Sequence, residues 1–314
     1  MKVRMAILTL SILSLGVILS AYNFVNPLGP TVLPVIAIDE KKLGDLEYPE
    51  FSIWKNPEEA IALLSSGKVD LIILPITLGA NLYTKGIDVA LIGVHEWKVF
   101  YLVSSEDEEF EGWKKLKGKK IYTAHGRGQT VDVLMRYFMV KDGVIPDEDI
   151  QILYAPPQEV VALFKSGKIE YAALPEPFVT MAISGGKGKI ILDFQKEWGK
   201  VTGLHPRIPI AGLFVRREFL ENNWDLVKKF EEILTASIKW MKNNPDEDLK
   251  LVKKYLKIPS PILKESMKRM EFDYVPISKC KKEVLIFLRK MNELYPAGMP
   301  KIPDERFFVD ISIH

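Results

Sequence analysis

The sequence predicts an α/β protein of two similar lobes, and three observations lead there. First, "PEEAIALLSSGKVDLIILP" at 57–75 returns without a gap as "PQEVVALFKSGKIEYAALP" at 157–175. A fixed-offset echo marks two copies of one supersecondary unit. Second, strand-like and helix-like segments alternate from 116 to 194, the pattern of a parallel sheet with helices on its faces. Third, beyond "AGLFVRREFL" (211–220) the chain turns helical, which implies helices added to a lobe already formed.

Each echoed unit reads as helix, tight turn, strand. Glu59, Ala62 and Leu63, like Glu159, Ala162 and Leu163, fall at helical spacing. Gly67 and Gly167 supply the stop, because glycine takes the left-handed conformation at little steric cost, and Lys68 and Lys168 place charge near the last carbonyls. "VDLIILP" and "IEYAALP" are short apolar runs ended by proline, as strands buried on both faces read. In open α/β sheets the loops at the strands' carboxyl ends hold ligands.

Ahead of the first unit, Lys2 and Arg4, the apolar stretch Met5 to Leu19 and the small pair Ser20-Ala21 describe an export signal. Leu19 suits the cleavage site poorly, so residues 1–21 are read as a signal peptide or an uncleaved anchor. No cysteine lies there for lipid attachment. "GPTVLPVIAIDE" (29–40) is a turn into a helix with Thr31 as N-cap. "DVALIGV" (88–94) and "KVFYLVSS" (98–105) are strands, and "EDEEFEG" is a solvated connector. The second half opens with a strand at 121–124, the glycine-rich turn "HGRGQT", a helix at 131–140 ended by Gly143, and a strand at 150–154. Residues 222–256 are long helix with Trp224, Val227, Phe230, Ile233, Leu234 and Ile238 on one face and a break at Pro245. Two further helices follow, with no alternating strand pattern between them. The lobes are therefore 22–103 plus 214–314, and 104–213, with "FYLVSS" and "AGLFVRR" as the crossings.

Composition narrows the function. With 43 basic and 41 acidic residues the formal charge is +2, and removing Lys2 and Arg4 brings it to zero, giving nucleic acid no basic surface to bind. One cysteine, Cys280, excludes an internal disulfide and a cysteine-built metal cluster. His95, His125, His205 and His314 share no metal-ligand spacing. Scarce amides with abundant lysine and glutamate point to a heat-adapted source.

From Gly118 to Ala182, and above all in "SGKIEYAALPEPF", the chain resembles the periplasmic substrate-binding proteins of ABC importers, type II fold, in the branch of nitrate, sulfonate and taurine receptors and thiamine-pyrimidine receptors. The resemblance implies two α/β lobes joined by two hinge strands, a small ligand in the cleft, delivery to a membrane permease, no cofactor, a monomer and no catalysis. Enzymes on the same fold, such as thiamine-pyrimidine synthases with a cysteine-rich motif or menaquinone-pathway enzymes, are the alternative. The export signal and the single cysteine disfavour them.

Strand ends then place Ile76 and Thr77 in one lobe, and Glu176 and Phe178 in the other, beside the ligand. "HGRGQT" is neither a Walker loop nor a dinucleotide loop. Gly126 and Gly128 nevertheless expose amides beside His125, Gln129 and Thr130 at a helix start, and Gly29-Pro30-Thr31 offers another from the opposite lobe. Trp97 either stacks an aromatic ligand or fills its lobe, and Arg207 either meets an anion or lies in an exposed loop. Glu176, an acceptor when ionised, suits a ligand carrying an N–H donor. The ligand is expected to be a heteroaromatic vitamin precursor or a sulfonate-like anion.

Overall fold

The structure, a computed structural model, describes residues 22–124, 126–186 and 188–313. The proposed leader, His125 and His314 lie outside the described residues. In chain order the strands are β1 Asn23–Pro27, β2 Glu50–Trp54, β3 Leu71–Pro75, β4 Val89–Lys98, β5 Phe100–Ser104, β6 Lys120–Ala124, β7 Gln151–Ala155, β8 Tyr171–Pro175, β9 Lys189–Asp193, β10 Ala211–Arg216 and β11 Glu271–Pro276. They form two sheets, ordered β11-β4-β10-β3-β1-β2 and β7-β6-β8-β5-β9.

The two sheets follow one plan. β1 pairs parallel with β2 and β3, as β6 does with β7 and β8. Next to each parallel set comes one antiparallel strand, β10 against β3 and β5 against β8. Each of these two strands enters from the other lobe, so every sheet is completed by a crossing chain. Between them the crossings run at Val99 and at 207–210, where Ile208 and Ile210 donate backbone N–H groups to the carbonyls of Trp97 and Glu96. The expected boundary at 103 therefore moves back, because Phe100–Ser104 pairs wholly within the second sheet, and β10 opens at Ala211 within the first.

The echoed units coincide in detail. Helices Pro57–Ser65 and Pro157–Lys165 end with Gly67 at φ 67° and Gly167 at φ 72°. In each, the lysine N–H reaches back to the carbonyl five residues earlier, Lys68 to Leu63 and Lys168 to Leu163, the Schellman closure that only a left-handed C′ residue permits. β3 and β8 then run buried to their final proline. Burial on both faces is what their unbroken apolar sequences require.

Around the first sheet, one face carries helices Pro57–Ser65, Ile76–Thr84 and Ile277–Leu294, and the other carries the 3-10 turn Pro30–Val35 and helix Trp224–Asn243. The long helix buries Val227, Phe230, Ile233, Leu234 and Ile238, as its spacing requires, and stops before Pro245. Among the described residues no helix is long and apolar enough to cross a membrane.

Three local expectations change. β1 and β2 lie in stretches to which the sequence reading gave no element, and β11 fills the gap assigned only to helices. β11 is an edge strand with Phe272 alone fully buried, so it lacks the alternation that betrays a half-buried strand. Thr31 is not an N-cap: Gly29 holds that position, and the buried Thr31 hydroxyl accepts from Asn26 Nδ2 at 3.2 Å.

Candidate functional site

The carboxyl ends of β1, β2 and β3 and those of β6, β7 and β8 lead into the loops beside the two crossings. Ile76 and Glu176, equivalent positions of the repeat, each donate a backbone N–H to a crossing chain: Ile76 to Ile210 at 3.0 Å and Glu176 to Val99 at 2.8 Å. The residues after both repeats therefore sit at one hinge. Thr77 and Gly128, from opposite lobes, line a joint of about 10 Å³ shared with Val133, Met291, Tyr295 and Met299.

Of the sequence candidates, Gly29, Pro30, Thr77, Gln129, Thr130 and Phe178 are exposed or half-buried at these loops, and Gly126 faces open space. Ile76 is wholly buried and belongs to the core under its helix. Trp97 resolves toward filling its lobe. It is fully buried, its indole N–H donates to the Asp273 carbonyl at 2.8 Å, and Arg207 covers its ring. Thr31 is held by Asn26. These three side chains face packing partners rather than the loop surface.

Glu176 is also enclosed, with no exposed surface. Its Oε2 accepts from the Thr180 N–H at 3.0 Å and hydroxyl at 2.8 Å, and its Oε1 accepts from Arg269 Nε at 2.5 Å. A carboxylate so surrounded has its charge balanced and its acceptors filled. The donor expected of a ligand is thus supplied from within, by an arginine that lies just before β11.

The glycine turn is likewise occupied. Gly128 N–H donates to Asp132 Oδ2 at 2.7 Å, so the amide expected to meet a ligand is spent on a buried carboxylate in the first turn of helix Thr130–Lys141. Asp132 Oδ1 accepts from Arg136 Nε at 2.9 Å and Tyr154 Oη at 2.7 Å, and Arg136 forks onto Asp147 at 2.8 and 3.1 Å. Burial pushes the Tyr154 phenol up to about 12, and the Arg136 hydrogen bond pulls the Asp147 carboxyl down. With Asp132 at this helix start, the dipole already carries its counter-charge.

At the root of the outgoing crossing, burial pushes the Glu96 carboxyl up to about 8 and the His95 imidazole down to about 3, so both are neutral at pH 7. Cys280 is buried, its thiol pushed up to about 12 by desolvation. No group of three or more His, Cys, Asp or Glu among the described residues could hold a metal ion. A separate surface depression of about 550 Å³, lined by Ser105, Asp107, Phe164, Gly188 and Lys189, lies at the opposite end of the second sheet, where β8 begins. Its lysine is already paired with Asp107 and Glu109.

Sequence reasoning missed Arg269, Glu283 and Tyr295. All three come from the C-terminal helical region, which carries no echo of the repeat, and their partners are 76 to 167 positions away in sequence. Only a pairing across the fold brings them to the hinge.

Comparison with known proteins follows this geometry. Over 92% of the chain the fold superposes on 99% of a crystal structure of an ABC transporter from Parabacteroides distasonis, with a TM-score of 0.78 and 24% identity. The periplasmic aliphatic sulphonate binding protein SsuA of Escherichia coli matches with a TM-score of 0.75 at 18% identity, covering 91% of each chain. The periplasmic nitrate-binding protein NrtA of Synechocystis PCC 6803 matches at 0.67 and 16%, over 87% of this chain and 80% of that one. The architecture is the type II periplasmic binding protein fold. Among curated sequences, the Bacillus subtilis (strain 168) protein YtlA, named for binding, is 27% identical over 150 residues, which are 48% of this chain and 42% of the relative. An aliphatic sulfonates-binding protein of the same organism is 24% identical over 188 residues, 59% and 53% respectively. The chain spans about half the length of the curated relatives it matches. A family model matches residues 56–255, from the cap of the first repeat helix through the long helix, and on that match the chain belongs to the NMT1-like family.

Proposed function

We propose that this protein is an extracytoplasmic solute receptor that captures one small molecule between its lobes and hands it to an ABC importer, without catalysing a reaction on it. One observation carries the reading: the repeat-equivalent residues Ile76 and Glu176 both bond to the crossing chains, so the strand ends of the two halves flank a single hinge. Ligand contact with both lobes favours the closed arrangement over the open one, and that differential affinity is what a permease reads. The leader composition and the periplasmic location named for the SsuA and NrtA proteins support placement outside the cytoplasmic membrane.

In this reading Gly29, Pro30 and Thr77 meet the ligand from one lobe and Gly126, Gln129, Thr130 and Phe178 from the other. Leu28, 45% exposed beside Gly29, adds an apolar wall. Arg127, Arg207 and Arg269 are each paired with a carboxylate, which favours a heteroaromatic vitamin precursor over a sulfonate-like anion. Calorimetric titration with hydroxymethylpyrimidine, a flavin and a small alkanesulfonate tests both classes. One compound binding at one site, unchanged on recovery, is the expected result, and conversion of the bound compound overturns the receptor reading.

A further inference from the structure

Beyond the covalent crossings the lobes meet where helix Ile277–Leu294 lies on the second lobe, with Phe287 against Trp198 and Lys290 over Tyr137, and at two further places, Arg269 and Tyr295. Arg269 reaches from the segment before β11 to Glu176, with its Nη2 on the Thr180 hydroxyl at 2.6 Å, while its own carbonyl accepts from Tyr101 Oη at 2.6 Å. Glu176, Thr180 and Tyr101 all belong to the second lobe. Arg269 is tied back to the helix Ser260–Met267 through Glu265 at 3.1 Å, and that helix packs against Phe178–Ile183. Tyr295, just past helix Ile277–Leu294, lies against bare backbone at Gly128, where a Cβ would fall 1.9 Å from its ring. The following turn is fixed to the first lobe by Asn81 Nδ2 donating to the Gly298 carbonyl at 2.6 Å.

The two contacts differ in kind. The arginine contact is directional and buried at its carboxylate, so parting it strands a charge without water. The tyrosine contact is a flat ring on a glycine backbone and holds by van der Waals contact alone. We infer that Arg269 is a positioning residue for ligand capture: it clasps the second lobe to the first, and its release frees the lobes to part at the rim of Gly29 and Gly126. This inference rests on the receptor reading for its purpose, but not for its geometry.

The test needs no ligand. Glu58 and Gln158 are exposed equivalents on the two repeat helices, and Cys280 is buried, so the full-length protein with Glu58→Cys and Gln158→Cys accepts spin labels at those two sites. Pulsed dipolar spectroscopy of the ligand-free protein is expected to show one narrow distance. Adding Arg269→Gln is expected to raise a second, longer distance from below about 10% to a comparable population. A folded Arg269→Gln protein with an unchanged distribution overturns the proposal. Should that variant not fold, Arg269→Lys keeps the charge, loses the fork and answers the same question by the same criterion. Absence of any bound ligand in titrations would count against the receptor reading and leave this measurement intact.

Discussion

Arg207 lies over the face of Trp97, its guanidinium carbon 4.0 Å from the ring centroid, while one edge, Nε and Nη2, donates to Glu283 at 2.8 and 2.6 Å. The arginine sits on the returning crossing, the tryptophan on the outgoing one, and the glutamate on helix Ile277–Leu294. Three chain segments distant in sequence are thereby fastened at the hinge. The Glu283 bond raises the Arg207 pKa, so the cation is permanent.

Arg207→Ala is expected to destabilise the protein by about 2–4 kcal/mol, because both partners of this pair are mostly buried and Glu283 would lose its counter-charge. Arg207→Lys should recover less than half of that loss, since an ammonium neither forks nor stacks as a guanidinium does. Urea denaturation of the three proteins measures both effects.

Gly128→Ala should cost about 2–4 kcal/mol, combining a left-handed backbone at φ 84° with overlap on the Tyr295 ring. In a Tyr295→Ala background the steric part disappears. A double-mutant cycle is therefore expected to return a coupling of about 1 kcal/mol or more. Strict additivity would show that the ring does not rest on this glycine.

The twin glycines offer a contrasting case. Gly67 and Gly167 share a left-handed φ and face open space, so alanine at either is expected to cost the same, about 1 kcal/mol, from backbone conformation alone. Since the sites share no partner, the double variant should show the sum. Thermal or chemical denaturation of the three variants checks this.

Asp248 gives the clearest pH dependence. Neither carboxylate oxygen has a hydrogen-bond partner, and burial pushes the carboxyl up to about 8. The folded protein therefore holds a proton that the unfolded chain releases near its ordinary value of about 4. Its contribution to stability is complete below that value and is lost as pH rises toward about 8. Asp248→Asn, which cannot ionise, should lose less stability than the wild type between pH 5 and 8. Glu96, shifted the same way, acts in both proteins and cancels in the comparison.

Reading the chain alone revealed the doubled plan because its causes are local. Helix spacing, a left-handed glycine and a proline-ended apolar run are encoded within about twenty adjacent residues, and one hundred positions later the same code produced the same Schellman turn at Gly167. Strands β1, β2 and β11 escaped notice because their stability comes from neighbours: Phe24 beside Phe51 and Leu71, or Phe272 beside Glu96, are pairings no local pattern announces. The same limit governed the site. Glu176 looked like a ligand acceptor until the tertiary structure supplied Arg269, 93 residues away, and Gly128 looked like a free amide until Asp132 folded back onto it. Local sequence determined the elements of the two repeats and where their ends lie. Which polar groups at those ends remain unsatisfied was decided only when distant segments packed together, because a charge or an amide takes whatever partner the fold brings within hydrogen-bond reach.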